Sequence, residues 1–537
     1  MNRVRSLTVL LLFIAVAAST LSCTPGTTGK DPTTSGASTT QRGPAGAVPA
    51  GLERFYGQAL SWGGCADFAE TPDDKTAYAS PGLQCTYLEV PLNYADPNGR
   101  TIKIGVLRRP AADPAQRIGS LVINPGGPGA SGMSTAASLV DRVAGNDLGR
   151  RFDLVGFDPR GIGASKPPIQ CLTASERDAE RLMNLNVDTS PAGVARTENQ
   201  ERADDADCAS RTGTTVLANI GTRDVARDMD VLRSALGDAK LTYLGYSYGT
   251  RLGTTYAEDF PRNVRAMILD GAIDPAQDPV AQLVAQGRGF QQAFDAFAAW
   301  CTGRPDCALG QSLDKGQAVT AFQALVRPLI TRPAPVPDGR KLSFTDATTG
   351  AVQALYLPDL WQPLNRGLQE LAQGNGDILM RLADLYYGRS ADGTYSSETD
   401  AFQAISCADN PPISDPNVAR NADAQYRAAA PFLDSGEPPS PARDACTFWP
   451  VPHTGGPHQP QVPGLVPVVV ISTTHDPATP YQSGVNLAQD LNGRLLTFEG
   501  TQHTAFLQGI SCIDNAGIKY LTTLQLPPEG TRCQAAQ

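Results

Sequence analysis

Gly245-Tyr246-Ser247-Tyr248-Gly249 sits between an apolar run, residues 241–245, and a helical pattern beginning near Thr250. Glycines two places either side of a serine allow a strained strand-to-helix turn that exposes the hydroxyl above a sheet. Such a hydroxyl is a poor nucleophile without a base in hydrogen-bond reach. The chain has only 4 histidines. His503 follows an apolar run at residues 494–498 and is the candidate base. His453 and His458 lie in a Pro/Gly-rich connection, and His475 precedes the acid candidate and could line the site. Asp476, soon after the run 466–471, is the preferred orienting acid, with Asp270 at the end of run 266–269 as its rival. Residues 124–129, Asn-Pro-Gly-Gly-Pro-Gly, follow another apolar run and can aim a bare amide at a developing oxyanion. The Gly127 N–H, paired with the Tyr248 N–H, is the expected donor set. The same glycines lack the lysine and Ser/Thr of a phosphate loop, and Pro128 removes an amide.

Positioning these groups requires short apolar strands that end where the chemistry begins. Runs at 121–123, 152–157, 241–245, 266–269, 466–471 and 494–498 each end in a turn signal, with helical patterns between several of them. Residues 221–236 carry one such pattern, with Val225, Met229, Leu232 and Leu236 on one face. Near-continuous apolar strands alternating with helices predict an α/β class, a mostly parallel sheet flanked by helices, with ligands at the carboxyl ends of its strands. Weaker alternation at 86–91 and 101–108 fits edge or antiparallel strands. The strand rhythm stops between about 274 and 460, where helices at 280–300, 318–327 and 346–356 are expected. A large helical cap inserted between late strands of one sheet accounts for this. The order Ser247, Asp476, His503 is that of the α/β-hydrolase fold. Residues 158–165 read as a tight, architectural strand exit, with Arg160 paired to a loop carboxylate.

The chain has 537 residues, 41% hydrophobic and 18% charged, a globular composition long enough for more than one core. A net charge of -10 without a basic run excludes a phosphate-backbone binder, so no nucleic-acid partner is expected. Arg3 and Arg5 precede an apolar core at 7–18 that is too short to span a bilayer, the pattern of an export signal. Leu21-Ser22-Cys23 and the polar run after it resemble a bacterial lipoprotein signal, with Cys23 lipidated. The expected organisation is a signal peptide at 1–22, a lipidated cysteine and flexible tether at 23–50, a hydrolase domain in two parts at 51–274 and 461–537, and the cap at 275–460. With Cys23 set aside, the remaining cysteines of the 11 suit sequence-neighbour disulfides in an oxidising compartment. Those pairs are Cys65–Cys85, Cys171–Cys208, Cys301–Cys307, Cys407–Cys446 and Cys512–Cys533. Zinc ligation is not expected, because no cysteines have the required spacing and no histidine lies close to one. No metal or other cofactor is anticipated.

Taken together, residues 124–129 with Ser131-Gly132, 156–165, 245–250 and 476–480 resemble the tripeptidyl aminopeptidase branch of the α/β-hydrolases, secreted actinobacterial relatives of the proline iminopeptidases. Residues 446–450 and the final strands resemble that branch's carboxy-terminal segment. The likeness spans about residues 50–537. It implies Ser247 as nucleophile, Asp476 as acid, His503 as base, and Gly127 with Tyr248 as the oxyanion hole. Pro125 stands where proline iminopeptidases carry histidine, which argues against strict preference for one amino-terminal proline. The expected function is a monomeric serine exopeptidase that releases short peptides, tripeptides in particular, from free amino termini of peptides or proteins. Its place would be the outer face of the cell membrane through the lipid anchor, or the medium. Glu398, Asp400 and Asp409 are the cap acids available to bind the substrate ammonium group. The alternative is a carboxylesterase or lipase of the cell envelope using the same triad. A binding protein on a dead hydrolase fold would require a broken triad, and this one is intact in order.

Overall fold

The computed structural model describes residues 40–185 and 187–534. The signal peptide, Cys23 and most of the expected tether lie outside the described residues. Residues 40–50, expected as the end of that tether, are instead docked. Thr40–Arg42 pairs antiparallel with Ala59–Ser61, and the Ala45 carbonyl accepts the Arg233 guanidinium at 2.7 Å.

The central sheet has nine strands. In chain order these are β1 (Gln84–Pro91), β2 (Thr101–Arg109), β3 (Gly119–Asn124), β4 (Phe152–Phe157), β5 (Leu241–Tyr246), β6 (Val264–Asp270), β7 (Val469–Thr473), β8 (Arg494–Glu499) and β9 (Arg532–Gln534). The spatial order is β9-β8-β7-β6-β5-β3-β4-β2-β1. β1 and β2 are antiparallel, as is the β2–β4 pair, and every other pair is parallel. From β3 the chain moves one way to β4 and returns to β5 on the other side, so the order reverses between β3 and β5. The loops leaving those two strands therefore open side by side, the place where open α/β sheets bind ligands.

Strand alternation divides the core into two layers. Val122, Tyr243, Met267, Leu269 and Val470 face a cluster that contains Val225, Met229, Leu232 and Leu236. Leu121, Ile123, Leu244, Ile268 and Ile471 face the opposite cluster, with Leu139, Ile513 and Leu521. Every residue of β3, β4, β5 and β7 is buried, which explains why these strands read as apolar runs rather than as alternating ones. β7 starts at Val469, later than the run from 466, because Pro467 has no N–H for the ladder.

Among the described residues the helices of eight or more residues are α1 (Gly132–Val143), α2 (Ala174–Leu182), α3 (Pro191–Arg211), α4 (Thr222–Ala235), α5 (Tyr248–Asp259), α6 (Pro279–Thr302), α7 (Lys315–Val326), α8 (Phe344–Leu355), α9 (Trp361–Ala372), α10 (Asp377–Tyr387), α11 (Glu398–Asp409), α12 (Pro416–Ala429), α13 (Tyr481–Asp490) and α14 (Ser511–Thr523). Helices α6 to α12 form the insertion between β6 and β7. Much of it has its own core, in which Phe294 stacks on Phe432 at 4.7 Å and packs edge-on to Phe322. A second helical excursion, α2 and α3, leaves the sheet after β4 and meets α11. Five disulfides join Cys65 to Cys85, Cys171 to Cys208, Cys301 to Cys307, Cys407 to Cys446 and Cys512 to Cys533.

Where α2 and α3 meet α11, a cavity is lined by Glu180, Glu201, Asp204, Asp205 and Asp400, with Arg177 the one guanidinium on its wall. Burial, reinforced by neighbouring carboxylates, pushes Glu201 and Asp205 up to about 7 and Asp204 up to about 6. The folded chain holds these protons more tightly than the unfolded chain does. Their stabilising contribution is complete below the ordinary carboxylate range and is lost as pH rises through 6 to 7. Replacing Glu201 and Asp205 together by Gln and Asn should leave Tm nearly unchanged at pH 5 and raise it by about 2 °C at pH 8. Thermal denaturation across that range checks it, and an equal offset at both pH values would refute it.

Candidate active site

Ser247 occupies the turn between β5 and α5 with φ 54 and ψ -124, outside the regions open to most L-residues. Its amide donates to the Asp270 carbonyl at 2.8 Å, and its carbonyl accepts from the Thr250 amide at 2.8 Å and the Thr250 hydroxyl at 2.6 Å. The flanking glycines make the turn sterically feasible. A Cβ on Gly245 would stand 2.4 Å from the Gly249 carbonyl oxygen. Strain of this kind costs about 1–3 kcal/mol and persists where surrounding bonds over-determine it.

Asp476 and His503 come from the loops after β7 and β8. The His503 Nδ1–H donates to Asp476 at 2.9 Å from Oδ1 and 3.0 Å from Oδ2. Asp476 is itself fixed by the amides of Ala478 and Thr479 on Oδ1, at 2.9 and 2.8 Å. This arrangement commits Nδ1 to the carboxylate and leaves Nε2 as the acceptor nitrogen, the tautomer a general base needs. Burial disfavours the imidazolium, but the charge and hydrogen bond of Asp476, with a further contribution from Asp270, outweigh it and hold the His503 pKa above its ordinary value. The imidazole meets the serine turn at the Asp270–Gly271 junction. Asp270 accepts the Ser247 amide, and the His503 Cε1 lies 3.0 Å from where a Gly271 Cβ would stand.

The loop after β3 closes the other side. Gly126 has φ 99, its amide donates to the Asn124 Oδ1 at 3.0 Å, and a Cβ there would lie 2.9 Å from both the Ser247 Cβ and the Tyr248 nitrogen. Only a glycine lets this backbone come so close to the nucleophile. Gly127 follows with φ 102, and Tyr248 is the first residue of α5, whose leading amides have no intrahelical acceptor. Backbone donors on both sides of one serine hydroxyl, with a carboxylate-oriented imidazole, form a set suited to acyl transfer.

Comparison with known proteins agrees with this geometry. A family model for the alpha/beta hydrolase fold matches residues 119–315, and one for TAP-like protein matches residues 431–533. The chain is 46% identical over 489 residues to "Serine protease Hip1" of Mycobacterium tuberculosis, covering 90% of this chain and 92% of that protein. It is 48% identical over 477 residues to "Carboxylesterase B" of the same organism, covering 88% and 89%. Streptomyces lividans "Tripeptidyl aminopeptidase" is 28% identical over 461 residues, covering 84% of this chain and 83% of its own. The chain belongs to the TAP-like serine hydrolases of the α/β-hydrolase superfamily.

In this TAP-like hydrolase the three cap acids have different surroundings. Asp409 is buried, accepts the Thr222 amide at 2.8 Å and the Thr222 hydroxyl, and that hydroxyl also meets the Tyr248 hydroxyl. Asp400 accepts the Cys171 amide at 2.7 Å and pairs with Arg177. Both carboxylates are consumed inside the protein, which corrects the expectation that either meets a substrate. Among the described residues no hydrogen bond or ion pair reaches the Glu398 carboxylate, and burial alone pushes its pKa up to about 7. Arg160 is buried in a two-pronged pair with Asp228 at 2.6 and 2.7 Å and also donates to three carbonyls. His453, His458 and His475 are exposed.

Sequence reasoning missed two residues that contact His503. The Tyr356 carbonyl accepts the His503 amide at 2.9 Å, and its ring stands edge-on to the imidazole at 5.4 Å. The Thr479 hydroxyl lies 3.3 Å from Nδ1. Thr479 stands three residues after Asp476 and was findable as part of the acid's turn, whereas no local pattern marks Tyr356. Asp476→Asn should lower kcat by about 10⁴ while the fold persists. The acid limb of kcat/KM against pH should fall above the ordinary histidine range in the parent and move lower in the variant. Steady-state kinetics over pH 5–9 reads both effects.

Proposed function

We propose that this hydrolase is a serine exopeptidase that removes short peptides, tripeptides in particular, from free amino termini. Ser247 attacks the scissile carbonyl as His503 takes its proton, and Asp476 holds the imidazole and stabilises its charged form. The Gly127 and Tyr248 amides receive the developing oxyanion. His503 then delivers the proton to the leaving amine, and water, activated by the same base, frees the acyl group from Ser247.

The observation that carries the exopeptidase reading is the lone carboxylate of Glu398. It opens α11, whose backbone touches the oxyanion loop: a Cβ on Gly129 would stand 2.5 Å from the Glu398 carbonyl oxygen. The Glu398 charge is felt by the hydroxyls of Tyr356, which packs on His503, and of Tyr386. A partly buried carboxylate without a counter-ion among the described residues carries a desolvation cost that an incoming ammonium group offsets. A peptide amino terminus supplies that group, and a simple ester does not. The name of the Hip1 relative supports peptide cleavage, and that of the Streptomyces relative supports action at an amino terminus. Carboxylesterase B keeps the ester reading in play.

Glu398→Gln should reduce kcat/KM on unblocked peptides by about 10- to 100-fold and leave amino-blocked peptides and short acyl esters within about threefold. Equal losses on all substrates would remove Glu398 from substrate recognition, and a parent that cleaves only esters would favour the esterase. Mass spectrometry of the products, beside a Ser247→Ala control expected to be inert, gives the length released.

We further propose that the protein works outside the cytoplasm, held to the membrane through lipid on Cys23. Support comes from the basic and apolar segment ahead of Cys23 and from the five disulfides, which suit an oxidising compartment. Cys23→Ser should shift the protein from the membrane fraction to the medium, and unchanged fractionation would exclude the anchor.

A further inference from the structure

Asp270 is hydrogen-bonded to the main chain of Ser247 and to the loop that carries His503. It ends β6 with its side chain fully buried. Its main-chain carbonyl accepts the Ser247 amide at 2.8 Å. Its Oδ2 accepts the amides of Ala505 and Phe506 at 2.8 and 2.7 Å, in the loop that carries His503. That loop needs holding, because Thr504 and Leu507 have φ 62 and φ 60, a region that β-branched and bulky residues seldom enter. Gly271, the next residue, brings the backbone against the imidazole with φ 68.

Among the described residues the other oxygen, Oδ1, is buried without a hydrogen-bond partner. A buried carboxylate that uses one oxygen for both of its bonds is a poor stabilising device. An amide-bearing side chain or a differently tied loop would carry less desolvation cost. Burial pushes Asp270 up to about 7, against the two loop amides and the nearby imidazole. Asp476 takes the Nδ1 proton, so Asp270 is not the orienting acid.

We propose that Asp270 is a positioning residue that sets the registry between nucleophile and base, its carbonyl holding the Ser247 turn and its carboxylate holding the His503 loop. This inference rests on the Ser247–Asp476–His503 reading of the active site and adds to it a residue that touches neither substrate nor reacting atoms.

Two substitutions separate anchoring from charge. Asp270→Ala removes the acceptor for Ala505 and Phe506. Asp270→Asn keeps an oxygen for them and removes only the charge. Asp270→Ala should lose about 100-fold in kcat with KM within about threefold, the scale of a small misplacement of reacting groups. Asp270→Asn should recover at least about tenfold of that loss, and its acid limb of kcat/KM should move to lower pH. Inactivation by a phosphonate ester, which reads Ser247 without a peptide, should slow in parallel with kcat. The proposal is overturned if Asp270→Ala keeps kcat within about threefold of the parent, or if the loss falls on KM alone. Should near-UV circular dichroism show that Asp270→Ala does not fold, Asp270→Glu, which keeps the charge and displaces the acceptor oxygens by one methylene, decides, and a kcat within about threefold of the parent overturns the proposal. Ser247→Ala and His503→Ala run beside these. Activity retained in either would sink the triad reading itself, whereas inert controls beside a parent-like Asp270→Ala would sink only the role of Asp270.

Discussion

Ser247 keeps its left-handed backbone because bonds on both sides leave it no alternative, and the rest of the active site is arranged around that constraint. The amide is tied across to β6 and the carbonyl is tied forward to Thr250. The Thr250 hydroxyl also accepts the Ile273 amide at 3.0 Å, so the turn is braced against the chain that leaves β6 for the cap. A serine in an ordinary turn would relax toward the sheet and withdraw its hydroxyl. Here relaxation would have to break bonds to two other elements simultaneously, which is how a sheet can hold a costly conformation at its surface.

Reversal of strand order between β3 and β5 makes the second contribution. It places Gly126 against the serine turn and opens a gap for a ligand between two loops whose roots are hydrogen-bonded neighbours. Helix α11 then spans the site from the cap side. Its first residue touches Gly129 of the oxyanion loop, and the Ser397 hydroxyl just before it accepts the Gly163 amide at 3.1 Å. Its last residue, Asp409, reaches Thr222 and through it Tyr248, while the Cys407–Cys446 disulfide secures the same end. The cap is thus packed against the glycine loop after β3 and against the first residue of α5.

The sequence was most informative where structure is decided locally. Fully buried parallel strands must be apolar on both faces, so β3, β4, β5 and β7 announced themselves, and the glycines around Ser247 are demanded by the sterics of one turn. Helix α4 was legible because one of its faces packs on the sheet. Helix α3 was not: it buries only Gly193, Thr197, Asp205 and Cys208, so its polar sequence carries no apolar period to read. The acids near the cap could not be told apart for a different reason. Asp400, Asp409 and Glu398 look alike in a string of letters, and what distinguishes them is partners more than a hundred residues away. Arg177 and the Cys171 amide take one, Thr222 takes another, and none of the described residues takes the third. Tyr356 escaped notice on the same grounds, since its contact with His503 exists only after the cap has folded back over β8.

Relatives named as a protease and as a carboxylesterase both approach half identity to this chain, and the architecture explains how one framework accommodates both. Serine, imidazole, carboxylate and backbone donors are supplied by loops at the strand ends, and an acyl carbon is attacked in the same way whether an amine or an alcohol departs. Discrimination must come from groups that meet the rest of the substrate, and those belong to the inserted helices. A partly buried carboxylate to which no described residue is bonded favours ligands that bring a positive charge. A free amino terminus held there would fix how many residues fit between Glu398 and Ser247. On the proposed exopeptidase reading, the length of the released peptide is set by the seating of α11 on Gly129, a property of cap packing rather than of the catalytic residues.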